Sequence, residues 1–278
     1  MMTERKFSVG TVVVILIIVM AVIWTLFPLY YLFLTSVKPA NALFESPPRL
    51  VITPSLETYD KILIQEQFYK FFLNSFLIAV GASLLALAIA APATFAFTQW
   101  EFRGKESLFF TSLIGRMFPP VTTLIPIYLM LKFLQLLDTH LGLILIYAAF
   151  LIPLVLLILR EFFGQVPKEI CECARLDGAS SFQVFLRIVL PLSINGLIAA
   201  GTLCFVEAWN EFLFALVLTS FTAKTAPVVL ATFVENEGMI QWGALAALGV
   251  CTVLPTVLFM IFLHKFLIKG LTLGSLKG

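Results

Sequence analysis

Charged residues are missing from long stretches of this chain. None falls between Lys6 and Lys38 or between Lys70 and Glu101, and a third run from Ser107 to Leu131 is interrupted only by Arg116. A fourth run extends from Thr139 to Leu159, a fifth from Ile188 to Ala223 with Glu207 and Glu211 inside it, and a sixth from Gly238 to His264. A helix that crosses a bilayer needs about 20 apolar residues, and each run is long enough. The runs lack the alternation of barrel strands, and lipid admits only helices or closed barrels, so they predict helices. The expected spans are 11–36, 71–97, 107–131, 141–160, 192–219 and 243–264, within one domain over residues 1–278.

Composition agrees. The 278 residues are 60% hydrophobic and 12% charged, with a mean hydropathy of +1.03. Soluble domains average about 45–50% apolar and about 25% charged, so an all-α membrane protein is the class implied. A net charge of +2 with no basic cluster gives no case for a nucleic-acid partner. Lys and Arg concentrate in segments that are cytoplasmic if the N-terminus is inside, which places both termini and the 161–190 segment there, in a multi-pass protein of the cell membrane. A signal peptide would have an apolar stretch of about 7–15 residues. The first run is roughly twice that and reads as a retained span. The first outer loop, about 37–68, is proline-rich and predicts one short helix. Pro28, Pro92, Pro126, Pro153 and Pro255 read as packing kinks, whereas "RMFPPVTTLIP" cannot form a straight helix.

Little catalytic chemistry is visible. The four cysteines, at 171, 173, 204 and 251, fall in no outer loop and imply no disulfide framework. Cys171 and Cys173 are two apart, do not share a helical face, and read as small buried thiols rather than metal ligands. The terminal "GLTLGSLKG" lacks the spacing of a phosphate-binding loop. No Ser-His-Asp or H-E-x-x-H arrangement exists either. No catalytic residue, metal or cofactor is assigned to this chain, and any nucleotide hydrolysis belongs to another.

The exception to the apolar rule is the polar insert between spans four and five. Pro167 suits a helix start, and Lys168 to Leu176 predicts a short helix with Ile170, Cys173 and Ala174 on one side. Glu169 and Glu172 share a face, and Glu172 is spaced to pair with Lys168 and Arg175. Gly178 stands where a helix-ending residue needs positive φ. Ser180 and Gln183 form a capping box that starts a second helix at Ser181 and runs toward Pro191. On these grounds alone the insert is equally an amphipathic surface helix or a docking element.

Residues 172–191 read E-C-A-x-x-x-G followed, after nine residues, by I-x-L-P. This resembles the EAA loop of binding-protein-dependent ABC importer permeases, with Glu172, Ala174, Gly178, Ile188, Leu190 and Pro191 in register and Cys173 in place of the usual alanine. "AWNEFLFALVLTS" at 208–220 and the terminal "KGLTLGSLKG" resemble the MalG type of carbohydrate permease. "LFESPPRLVITPSLETYDKI", "NSF" at 74–76 and "MFPPVTTLIPIYLML" fit more loosely. The resemblance implies a six-span MetI-like bundle whose cytoplasmic coupling helix, at 169–181, sits in a cleft of the ATPase. Glu169, Glu172, Ala174, Asp177, Gly178, Ala179 and Ser180 would make that contact, and Lys269, Gly270, Ser275 and Lys277 a second one from the C-terminal tail. It further implies a second homologous, MalF-like permease, two MalK-like subunits that bind the ATP and Mg, and an extracytoplasmic sugar-binding protein probed by the loop around 220–241. The cargo implied is a di- or oligosaccharide of the maltose or trehalose kind.

Arg116, Glu207 and Glu211 are expensive in lipid, about 2.5–3.5 kcal/mol for such residues on insertion scales, and must face protein or water. Pairing of Arg116 with Glu207, in structure or gating, is the first expectation. Substrate contact and a proton relay are the others, the last belonging to a proton-coupled transporter that would use Glu207 and Glu211 and act without ATP. A scaffold without transport leaves these charges unexplained. Tyr128, Trp209, Asn210 and Trp242 are candidates for a translocation path.

Overall fold

The computed structural model describes residues 9–39, 42–45, 52–65, 67–236 and 241–274. Among them every regular element is helical. In chain order these are α1 (Val9–Ser36), α2 (Glu57–Asp60), α3 (Phe68–Gln99), α4 (Lys105–Ile114), α5 (Pro120–Phe133), α6 (His140–Gly164) and α7 (Lys168–Leu176). There follow α8 (Ser181–Val184), α9 (Leu190–Leu192), α10 (Ile194–Trp209), α11 (Leu213–Leu218), α12 (Ala226–Asn236) and α13 (Trp242–Gly274). Helices α1, α3, α6 and α13 are each long and apolar enough to span a bilayer, and two bent pairs bring the count to six when each pair is one span.

The chain gathers into two compact units, one from Met1–Gln67 with Thr232–Cys251, the other from Phe68–Ala231 with Thr252–Gly278. In the first, α1 is apolar on every side and exposed along most of its length, as suits a helix bathed in lipid. It becomes buried only near its end, at Leu34, Ser36 and Val37. There the Ser36 hydroxyl pairs with that of Tyr59 at 2.8 Å, which fastens the expected short helix, α2, to the end of α1. Lys61 Nζ donates to Gln241 Oε1 at 2.9 Å, tying the turn after α2 to the approach to α13.

The second unit is built on α3, α6 and α10. Helix α3 turns a row of small residues inward, Ala79, Ala82, Ser83, Ala86 and Ala90, all buried. Small side chains let backbones approach closely where hydrophobicity gives no drive between helices in lipid. A Cβ on Gly81 of α3 would lie 2.8 Å from Ile144 Cδ1 of α6, and a Cβ on Gly196 of α10 would overlap the Phe162 ring of α6. Arg160 of α6 donates to both oxygens of Glu106 at 2.7 and 2.9 Å and lies 4.1 Å from the centre of the Phe109 ring, which pins α4 to α6.

Two of the expected spans are not straight helices. In the third, α4 continues as a turn through Met117 and then meets α5 at 94°. The cause is local: Phe118 precedes a proline and is forced into extended backbone, Pro119 is extended as well, and α5 restarts at Pro120. In the fifth, Ser181–Leu192 meets Ile194–Trp209 at 80°. Helix α10 then stops at Trp209, so 192–219 is three pieces and not one. Pro28, Pro92, Pro126, Pro153 and Pro255 sit inside continuous helices. A single proline in a packed helix is tolerated here, and two in succession are not.

Candidate functional site

The insert folds as a helix, a one-glycine turn and a helix. Pro167 precedes α7, whose last turn closes with the N–H of Gly178 on Arg175 O and the N–H of Ala179 on Ala174 O, both at 3.0 Å. This pair of bonds requires a left-handed residue at its centre, and Gly178 has φ +89°. Ser180 Oγ then accepts from Gln183 N at 3.3 Å while Gln183 Oε1 accepts from Ser180 N at 2.8 Å, starting α8. A π-helical turn, Phe185–Val189, carries the chain to α9.

Of the two thiols expected to be buried, Cys171 is, and Cys173 is exposed, as is Ile170. Burial pushes the Cys171 thiol pKa up, which leaves Cys173 the accessible cysteine of the pair. Glu169, Glu172, Asp177, Gly178 and Ser180 are exposed, and Ala174 and Ala179 are half-buried. The expected pairing of Glu172 with Lys168 and Arg175 does not form. Lys168 instead approaches Glu101 at 3.8 Å, and Arg175 holds Nε and Nη2 buried without a hydrogen-bond partner. The Lys105 ammonium, 2.9 Å away, holds the Glu101 carboxyl below its ordinary pKa. Sequence reasoning missed the apolar tips: Leu176 is 87% exposed and Phe182 66%.

A second constellation lies between α4, α6 and α10. Arg116 Nη2 donates to both oxygens of Glu207, at 2.7 and 3.0 Å. Glu211 serves otherwise. It accepts from Tyr147 Oη at 2.5 Å and from the N–H groups of Phe214 and Ala215 at 2.8 and 3.2 Å, capping α11 across the break that follows α10. Because of that break, Glu207 and Glu211 do not share one helical face as their spacing suggested. They share a cavity of about 210 Å³ with Arg116, Tyr147, Phe118 and Phe150. Tyr147, missed earlier, had one signal: it is the lone hydroxyl of α6.

The remaining candidates scatter. Trp209 is 1% exposed, donates Nε1–H to Thr252 O at 2.9 Å and meets the Phe72 ring edge-on at 4.9 Å, so it is a packing residue with no face toward the cavity. Asn210 is exposed, bonds Val206 O at 2.7 Å and Thr256 Oγ1 at 3.2 Å, and lines an open cleft beside Arg116 and Glu207. Tyr128 is partly exposed on α5 and lines neither the cavity nor the cleft. Trp242 opens α13 within the first unit. Lys269 and Gly270 belong to the helical backbone of α13, and Ser275 and Lys277 lie outside the described residues.

The described residues thereby define a helical membrane chain of four spanning helices, or six with each bent pair as one, with an exposed helix-turn-helix and an ion pair between Arg116 and Glu207. The family model for "Binding-protein-dependent transport system inner membrane component" matches residues 82–272. The chain is 32% identical over 260 residues to the trehalose transport system permease protein SugB of Mycobacterium tuberculosis, covering 92% of this chain and 93% of that one. It is 33% identical over 264 residues to the trehalose/maltose transport system permease protein MalG of Thermococcus litoralis, covering 94% of each. A chain from the crystal structure of a bacterial ABC transporter involved in the import of the acidic polysaccharide alginate superposes with a TM-score of 0.80 at 21% identity, over 95% of this chain and 99% of that one, and so shares the fold. The chain belongs to the family of binding-protein-dependent transport system inner membrane components, and is a multi-pass membrane protein.

Proposed function

We propose that this chain is one permease subunit of an ATP-driven importer for a di- or oligosaccharide of the trehalose or maltose kind. The observation that carries the reading is the α7–Gly178–α8 projection. It is short, closed at both ends of its turn by backbone and side-chain bonds, exposed at Glu172, Leu176, Gly178 and Phe182, and in register with the motif of a coupling helix. A stiff projection of this kind transmits rigid-body motion from a neighbouring engine. Two ATP-binding subunits supply that engine, with ATP and Mg held there. A second, homologous permease and an extracytoplasmic sugar-binding protein complete the assembly. The bias of Lys and Arg puts α7 and both termini on the cytoplasmic side.

The names of the relatives favour a disaccharide. In this reading the cavity of Arg116, Tyr147, Glu207 and Glu211 belongs to the path of the sugar, where charged hydrogen-bonding groups beside Phe118 and Phe150 suit a ring with hydroxyls.

The test is to purify the tagged chain from its own membrane in mild detergent and treat it with a thiol-specific crosslinker that reacts with exposed Cys173. We expect an ATP-hydrolysing subunit to be captured, and its hydrolysis to rise with binding protein loaded with trehalose or maltose. Capture of no nucleotide-binding chain overturns the reading. Uptake by this chain alone, abolished by a protonophore and indifferent to ATP depletion, would establish the proton-coupled alternative.

A further inference from the structure

A group of polar side chains outside both constellations ties several elements together. Asp138 lies in the turn between α5 and α6 with φ +54°, a left-handed value uncommon for a residue with a side chain. Its own N–H donates to Leu218 O, the last residue of α11, at 2.9 Å. Its carboxylate accepts from four successive backbone N–H groups, those of Ser220, Phe221, Thr222 and Ala223, at 3.0–3.1 Å. The same segment is gripped from α3. Asn74 Nδ2 donates to Thr222 O at 2.9 Å and Lys224 O at 3.0 Å, and Ser75 Oγ accepts from Ala226 N at 2.8 Å. Asn74 Oδ1 in turn meets His140 Nε2 of α6 at 2.8 Å. Asn74 and Ser75 are the first two residues of the "NSF" stretch.

The result is a clasp. The N–H groups of residues 220–223 point inward at one carboxylate, and Asn74 and Ser75 of α3 hold the same stretch from another side, with His140 of α6 bracing Asn74. Partial burial pushes the Asp138 carboxyl upward, but the four N–H groups outweigh it and hold the pKa down at about 2, so the clasp is charged throughout the physiological range. At the other end of α6, a helix of 25 residues and so roughly 38 Å long, lies α7. Between the two ends are the breaks at Phe118 and Pro119, at Ser193, and at residues 210–212.

We propose that Asp138 is a positioning residue that fuses the α5–α6 turn, the end of α11 and the approach to α12 into one rigid body, and that rearrangement during transport is confined to the three breaks. The proposal rests on the transport reading for its cycle, and not for the clasp itself.

The experiment is hydrogen exchange by mass spectrometry on the intact complex in lipid nanodiscs, without nucleotide and with ATP plus vanadate. In the natural protein the N–H groups of residues 220–223 should exchange slowly and equally in the two states, while peptides covering the breaks respond to the nucleotide. In Asp138→Asn, which keeps the size and loses the charge, exchange at 220–223 should quicken roughly ten- to a hundredfold, as loss of bonds to a charged acceptor implies. It should also become responsive to nucleotide, which a residue needed only for folding would not produce. Fast exchange at 220–223 in the natural protein in either state, or no change on substitution, overturns the proposal. Should the variant fail to accumulate, the two-state comparison on the natural protein decides alone. Absence of any ATPase in the complex would defeat the transport reading, while slow exchange without nucleotide would still bear on the clasp.

Discussion

Three acidic residues of this molecule do different work for physical reasons. Glu207 pairs with Arg116, and with both partners more than a third exposed, at 38% and 47%, the pair contributes about 1 kcal/mol or less to stability. Its weight is in geometry. Arg116→Gln and Glu207→Gln should each impair sugar uptake in proteoliposomes, and the double variant should lose less than the sum of the two; additive losses would mean the residues act separately. Glu211→Ala removes the cap of α11 and should lower stability by about 0.5–2 kcal/mol, whereas Tyr147→Phe removes one bond and should cost about 1 kcal/mol, both read by thermal unfolding in detergent. Asp138 differs again. Its depressed carboxyl contributes stability above the ordinary carboxylate range and loses it only as pH falls through about 2. Exchange at 220–223, corrected for its intrinsic rate, should therefore be level from pH 8 to 5, and a transition in that interval would contradict the clasp. The meeting of Arg116 and Glu207 was legible in the sequence because charges in lipid must find each other. The cap by Glu211 was not, since it depends on a helix break that "AWNEF" does not announce, and Asp138 looked like any acidic residue in a loop.

Among the elements, glycines separate what holds the bundle from what shapes its projection. Gly196→Ala drives a methyl into the Phe162 ring, prises α10 from α6, and should cost about 1–3 kcal/mol as overpacking. Gly178→Ala meets no atom within 4 Å, so only its backbone at φ +89° resists, at about 1–2 kcal/mol. The first variant should unfold at lower temperature across the whole bundle, and the second should keep its fold while weakening crosslinking from Cys173. Equal unfolding temperatures would show that the two glycines are not distinguished by packing. The long apolar runs, the capping box and the glycine stop were all readable because each depends on neighbours in sequence. Which thiol of α7 packs was not, because composition hardly separates buried Cys171 from exposed Cys173.

At the scale of the whole molecule, the apolar runs announced the spans, four helices or six with each bent pair as one, the 172–191 motif announced the family resemblance, and "RMFPPVTTLIP" announced the corner in the third run, while the interruptions of the fifth needed the structure. The corner in the third run has a further meaning in a medium without water. A helix that restarts inside a bilayer leaves its first amide hydrogens without acceptors. Here two successive residues at the restart, Pro119 and Pro120, have no such hydrogen to strand, Thr122 N–H reaches back to Pro119 O at 3.0 Å, and the hydroxyls of Thr122 and Thr123 occupy the carbonyls of Pro119 and Pro120 at 2.7 and 2.8 Å. The corner thus leaves fewer bare amide hydrogens than an ordinary helix start, and turning the chain there costs correspondingly less in oil.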